Sequence, residues 1–174
     1  MKYEIKNLIL TALFSALIAI SAYIIIPIPF SPVPITAQTI IVMLAGSLLS
    51  SVHAGTSVLI FLLMGAVGLP VFSKGQSGVG TILGPTGGYL IGFFLAVIAI
   101  SLLTKNKKNF KRFLTANIIG GVIIIYTAGV LWLSFISNIG IKKALLVGAV
   151  PFLPGDILKV ILASFLANKL KKYI

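Results

Sequence analysis

Residues 144–168 read ALLVGAVPFLPGDILKVILASFLAN. The run is apolar for longer than the roughly 20 residues that a helix needs to cross a hydrocarbon core about 30 Å thick. Pro151 and the Pro154-Gly155 pair interrupt it, and a helix interior does not accommodate them without kinking or breaking, so a break partway across the membrane is expected. Just after that interruption stands Asp156, with Lys159 three residues on and on the same helical face. A charge at the centre of a membrane helix costs roughly 2.5 to 3.5 kcal/mol on insertion scales. Both groups must therefore face the protein interior.

Upstream, apolar runs at 8–26, 35–50, 54–70, 89–103 and 113–137 each read as a further span. Together with 144–168 they predict an all-α membrane protein of six transmembrane helices, the last broken by Pro and Gly, in one integral membrane domain over 1–174. The composition leaves room for little else. With 174 residues, 59% apolar and 9% charged, and a mean hydropathy of +1.17, a soluble globular domain is excluded. Short connections such as 51–55 imply antiparallel neighbours. Pro27, Pro29, Pro32 and Pro34, with Phe30 at the centre of the stretch, predict an extended and mostly apolar loop. Between 71 and 88, glycines at 75, 78, 80, 84, 87 and 88 with Pro85 predict an ordered loop without helix.

Fourteen Lys and Arg stand against two acids. In a soluble protein that excess would point to nucleic acid, but here the cations cluster between apolar runs and act as topology signals. The expected surroundings are a lipid bilayer, with no nucleic-acid partner. Lys2, Lys6, the five basic residues of 105–112, Lys169, Lys171 and Lys172 make ten on one side, against three, Lys74, Lys142 and Lys143, on the other. The positive-inside rule then puts both termini in the cytoplasm and the Pro-rich and Gly-rich loops outside. No internal repeat aligns between the halves, so no inverted-repeat reading applies.

With no Cys and His53 alone, disulfide, thiolate-haem and Cys/His metal chemistry are closed off, and no cofactor is expected. No nucleophile and base pair up in the spans, so an enzyme is not expected. Two readings of Asp156 and Lys159 remain open: an internal pair that neutralises itself, or charges that line a cavity and meet a polar solute. The run Gly84-Pro85-Thr86-Gly87-Gly88-Tyr89 is neither a Walker A loop nor a dinucleotide fingerprint. Irregular backbone at membrane depth is tolerated where it is buried or lines a cavity, so this run caps the bundle, contacts a ligand, or does both. Thr36, Gln38 and Thr39 follow the Pro-rich loop on the same side. Tyr126 reads as core packing, Trp132 as an interface anchor, and His53 as a surface residue. Ala12, Ala16 and Ala19, with Ser15, give the first span a small-residue face for close helix approach, within the chain or toward a partner.

The runs VPITAQT at 33–39, GAVGLPVF at 65–72, GPTGGYLIGF at 84–93, GVLWL at 129–133 and PFLPGDILK at 151–159 resemble, in order and spacing, the BioY family. These are the biotin-specific S components, the substrate-binding membrane subunits of energy-coupling factor (ECF) transporters. The resemblance covers nearly the whole chain. It implies the six-helix S-component fold, a high-affinity biotin site open to the outside, and a prokaryotic cytoplasmic membrane. It implies partners as well: a transmembrane coupling subunit and two ABC-type ATPases. Matched position by position, Asp156 and Lys159 resemble the polar ligand contacts, Gly84, Thr86, Gly87 and Tyr89 the pocket wall, and Thr36 and Gln38 pocket-facing residues. Ala12 and Ala16 resemble the alanine motif that docks on the coupling subunit. Biotin offers two ureido N–H donors, one carbonyl acceptor and a carboxylate. A buried Asp suits the donors, and a Lys suits the carbonyl or the carboxylate.

The rivals are weaker. A stand-alone facilitator for biotin or a related small carboxylate differs only in lacking ATPase partners. A channel is disfavoured, because one Gly-rich loop is not a ring of carbonyls and an opposite-sign charge pair is a poor ion path. The topology is directly testable in a chain without natural Cys. Single cysteines at 76 and 107 are expected to react with impermeant reagents from opposite sides, and labelling of both from outside would overturn the orientation.

Overall fold

The computed structural model describes residues 2–105 and 109–173; Lys107 and Lys108, counted above among the basic residues, lie outside the described residues. The first helix, α1, runs from Lys2 to Ser21, ending before the expected position 26. The Ser21 hydroxyl donates to the Ile18 carbonyl at 2.9 Å, and Ala22, Tyr23 and Ile24 donate their amides three residues back. This tight end closes the helix. The chain then forms a strap of two short strands, β1 (Ile25–Ile26) and β2 (Ile35–Thr36), paired antiparallel as Ile25↔Thr36 and Ile26↔Ile35. The prolines lie between the strands, where they withhold no ladder donor.

Helix α2, Gln38–Leu48, has 11 residues against the expected span of 35–50. Val42 through Leu48 are all buried. A helix enclosed on all sides by protein need not match the bilayer thickness, and α2 is the central post of the bundle. Helix α3 covers Ser51–Ala66. In the segment after it, Phe72 lays its ring over Gly65, where any Cβ would collide with that ring, and meets Phe61 edge-on at 5.5 Å and 82°. Contrary to the expectation of a helix-free 71–88, this segment holds a 3-10 turn at Ser73–Gly75, one α-helical turn, α4 (Val79–Ile82), and the start of α5 (Gly87–Thr104). Gly75 and Gly78 have positive φ, but Gly84, Gly87 and Gly88 do not. Close approach, and not unusual backbone angles, requires glycine at 87 and 88.

Helix α5 packs on α2 and α3. The fifth expected span is a continuous rod: α6 (Phe110–Asn117), a π-helical segment Ile118–Ile124, and α7 (Ile125–Ser137). At the junction Asn117, fully buried, accepts from Ser47 at 3.2 Å and donates to Ser164 at 3.0 Å. That network ties three helices in the middle of the core. The last segment comprises α8 (Ile141–Gly148), a 3-10 turn at Val150–Phe152, and α9 (Leu153–Leu170). The break therefore falls at Ala149–Phe152. Pro154 and Gly155 belong to the first turn of α9, where a missing N–H costs nothing.

Among the described residues, four segments are long and apolar enough to cross a membrane: Glu4–Ser21, Gly87–Thr104, Phe110–Ser137 and Ile141–Leu170. Their outward side chains are apolar, such as Leu8, Leu13, Leu95, Ile157 and Leu162, as lipid contact requires.

The α5–α7 contact depends on Gly88, where a Cβ would fall 2.6 Å from the Ala128 carbonyl oxygen and against Trp132. Gly88→Val is expected to destabilise the detergent-solubilised protein by about 3 kcal/mol or more, visible as a lowered thermal midpoint. Gly155→Ala meets nothing within 4 Å and is expected to leave the midpoint unchanged.

Candidate functional site

The first turn of α9 decides the site. It aims Asp156, 4% exposed, into the bundle, while Ile157, Leu158 and Ile161 on the same helix face outward. The positive end of the α9 dipole favours a carboxylate there. The Tyr126 phenol donates to Asp156 Oδ2, and Lys159 Nζ lies 2.7 Å from Oδ1. Oδ1 is thus held by the Lys159 ammonium and Oδ2 by the Tyr126 phenol. Lys159 also donates to the Thr36 carbonyl at 2.8 Å, which ties α9 to the strap.

Tyr126 follows directly on the π-helical segment. Its wider turns shift the register between α6 and α7 and bring the phenol to the carboxylate. The Tyr126 ring meets Tyr89 edge-on at 6.5 Å and 86°, and Phe152 at 6.4 Å. Tyr89 in turn donates its hydroxyl to the Gly148 carbonyl at 2.7 Å, linking α5 to α8.

These groups border a narrow cleft with about 60 Å³ of free space. Val33, Pro34 and Ile35 of the strap cover it, and Ser73 stands at its mouth. Leu90, Phe93, Ile125 and Phe152 supply apolar walls. The strap is itself fastened, since Tyr23 donates its hydroxyl to the Pro70 carbonyl.

Of the residues singled out from the sequence, Asp156, Lys159, Thr36, Gln38, Thr86 and Tyr89 meet in this cleft. Gly84 and Gly87 do not line it. The Gly84 carbonyl accepts from Trp132 Nε1 at 2.9 Å and borders a separate hollow with Gln76 and Thr81. A Cβ on Gly87 would lie 2.7 Å from the Ile82 carbonyl carbon, so this glycine serves the packing of α4 on α5. Trp132 is thus a tie to the Gly-rich loop, beyond the interface anchor expected of it. Tyr126, read as core packing, lines the cleft. No local signal pairs it with an aspartate 30 positions away. His53 meets Ser50 at 2.7 Å. Ala12 and Ala16 are exposed on α1, while Ser15, Ile18 and Ala19 are buried. Among the described residues, no group of three or more His, Asp or Glu is placed to hold a metal.

The fold with this cleft is that of a transporter S component. It superposes with a TM-score of 0.92 at 35% identity, over 98% of this chain and 93% of the other, on the 2.1 Å crystal structure of the S-component for biotin from an ECF-type ABC transporter. The BioY family model matches residues 1–174. The biotin transporter BioY of Thermotoga maritima is 40% identical over 167 residues, 96% of this chain and 96% of its own. That of Rhizobium etli is 37% identical over 172 residues, 94% of this chain and 91% of its own. The chain belongs to the BioY family.

Removing one member of a buried ion pair strands the other, at a cost of about 3 to 5 kcal/mol. Lys159→Met is expected to lower the thermal midpoint in detergent markedly. Adding Asp156→Asn should recover most of the loss, since no buried charge is then left. A Lys159→Met protein as stable as the parent would show that the pair is not charged.

Proposed function

We propose that this chain binds biotin with high affinity and is the substrate-specific subunit of an ECF-type ABC transporter in a prokaryotic cytoplasmic membrane. All six apolar segments cross the bilayer in this reading, α2 and α3 included; both termini are cytoplasmic and the cleft opens outward. Biotin is the cargo, with no cofactor and no reaction at the site. A transmembrane coupling subunit and two ABC-type ATPases energise release, because this chain carries no nucleotide motif of its own.

The observation that carries the reading is the ion pair on the cleft floor. Asp156, 4% exposed, pairs with Lys159 at 2.7 Å in the wall of the cleft. A carboxylate oxygen has two lone pairs, so Oδ1 can accept a ureido N–H while it stays paired with Lys159. The apolar walls of Leu90, Phe93, Ile125 and Phe152 suit the bicyclic ring and its aliphatic chain. Thr36 of β2 and Gln38 at the start of α2, with Thr86 just before α5 and Tyr89 within it, complete the polar lining. Coupling is assigned to α1. Ala12 and Ala16 stand exposed, four residues apart, so the bundle does not use them and a second helix can approach closely.

Losing a charge-assisted hydrogen bond costs about 1.5 to 3 kcal/mol, or roughly 10- to 150-fold in affinity. Asp156→Asn is expected to weaken biotin binding by that factor in isothermal titration of the purified subunit. The Asp156→Asn, Lys159→Met double variant should stay weak although its stability is regained. Near-native binding by the folded double variant would refute the contact role. Replacing Ala12 and Ala16 together with Leu should abolish ATP-driven biotin uptake by the assembled transporter and leave binding by the isolated subunit intact; loss of both would make the alanines packing residues.

A further inference from the structure

The ligand cleft lies toward the starts of α2, α5 and α9, and a second cavity lies where the same three helices end, beside the turn into α3. It has about 300 Å³ of free space, where roughly 10 to 15 Å³ suffices for one water. Two cations, Lys105 and Lys171, line it among serine and threonine hydroxyls. Neither acid of the chain, Glu4 or Asp156, does. Its hydroxyl donors are largely spent. Ser47 donates to Asn117 at 3.2 Å, Ser101 to the Leu49 carbonyl at 2.8 Å and Thr104 to the Ile100 carbonyl at 2.9 Å. The Leu48 carbonyl at the end of α2 accepts from Lys171. With those acceptors occupied, what the cavity presents beyond them is positive charge. The first turn of α3 adds to it, because Ser50 turns its hydroxyl to His53 at 2.7 Å and caps no amide of that 16-residue helix. Val52 and Leu102 line the cavity as well and are 71% and 57% exposed. Its outer border is therefore apolar, at the level where the membrane-crossing lengths of α5 and α9 stop.

We propose that this cavity is a phosphate site, filled by the headgroup of an anionic phospholipid from the leaflet at that end of the bundle. The two ammonium groups suit a phosphodiester, which is acceptor-only and charged. Free phosphate would use the cations alone. A lipid uses the apolar border too, since its glycerol and first methylenes lie against Val52 and Leu102 while the phosphate reaches the lysines, and long cationic side chains at helix ends meet headgroups in this way. Basic pockets between membrane helices on the cytoplasmic side are general seats for anionic headgroups, and the charge tally puts this end of the bundle in the cytoplasm. A lipid held here joins the α2–α3 turn to the ends of α5 and α9, the helices that carry Gln38, Tyr89 and Asp156 at their other ends. It therefore braces the frame of the cleft without touching the cleft, whatever solute the cleft takes.

The test titrates phosphatidylglycerol, zwitterionic phosphatidylcholine with the same chains, and inorganic phosphate into the subunit purified in neutral detergent. Lipid adducts are counted by native mass spectrometry, and the thermal midpoint is followed in parallel. Phosphatidylglycerol should bind about 10- to 30-fold tighter than phosphatidylcholine, as two lysines near a headgroup supply, and should raise the midpoint. Lys105 is exposed, so Lys105→Gln is expected to fold; it should bind phosphatidylglycerol about fivefold more weakly. Lys105→Arg should stay within about twofold of wild type. Lys111→Gln removes the same charge from the same end of the bundle outside the cavity, and should also stay within about twofold. Equal binding of the two lipids overturns the proposal. An equal loss in Lys105→Gln and Lys111→Gln also overturns it, because diffuse surface charge and not a site would then hold the lipid. Millimolar inorganic phosphate that displaces phosphatidylglycerol, or raises the midpoint as far, overturns the lipid as the source of the phosphate. If Lys105→Gln does not purify as a monodisperse species, Lys105→Ala takes its place, and failure of both makes Lys105 a structural residue and overturns the site.

Discussion

A carboxylate carried into a membrane must be compensated on the spot, and Asp156 is the group around which the rest of this molecule is arranged. The α9 N-terminus, the Tyr126 phenol and the Lys159 ammonium converge on it from three directions. Each needs a backbone device. The 3-10 turn at Val150–Phe152 starts α9 at the right depth, the π-helical segment turns Tyr126 inward, and the helical spacing of Lys159 sets its charge over the same cleft. Lys159 then holds the Thr36 carbonyl as well, so the charge pair is coupled to the strap that covers the site.

Close helix approach supplies the rigidity that such a site requires. Van der Waals packing and interhelical hydrogen bonds carry association in lipid, where no hydrophobic gradient exists between helices. Glycines serve this purpose at several crossings. Gly120 and Gly121 in the π-helical segment admit Ile100 and Met43, and Gly129 and Gly148 make room for the Tyr89 ring and hydroxyl. The Asn117 network with Ser47 and Ser164 pins α2 and α9 to the junction of α6 with that segment. The polar core of the bundle and the polar groups of the cleft are thus separate networks on the same helices, one holding the frame and the other facing the cleft.

Much of this was legible in the sequence, for reasons that are physical. Apolar length announced the membrane, and two opposite charges three residues apart within an apolar run announced the site, because lipid tolerates neither charge alone. What was not legible depends on distant partners. A break was expected at Pro151 and at Pro154-Gly155; it lies at Ala149–Phe152, around Pro151 alone, because a proline in a first turn is harmless and only the tertiary path shows where that turn begins. Tyr126 looked like packing, since a π-helical register shift has no composition signature. Gly84 and Gly87 looked like ligand-facing backbone, but their neighbours Trp132 and Ile82 occupy the space. The recurring runs did identify the BioY family, and the geometry supplies their reasons: Gly65 seats Phe72, Gly88 seats Trp132, and Asp156 and Lys159 share a cleft with Tyr89.

The most direct measurement is an experimental structure of this chain with biotin bound, at a resolution that defines hydrogen-bond partners. A ureido nitrogen within hydrogen-bond distance of Asp156 Oδ1, with Tyr126 still on Oδ2, is the expected result, because a carboxylate that meets no ligand is a costly group to keep in the membrane. Biotin seated elsewhere, with the Asp156 and Lys159 pair closed on itself and untouched by ligand, would contradict it.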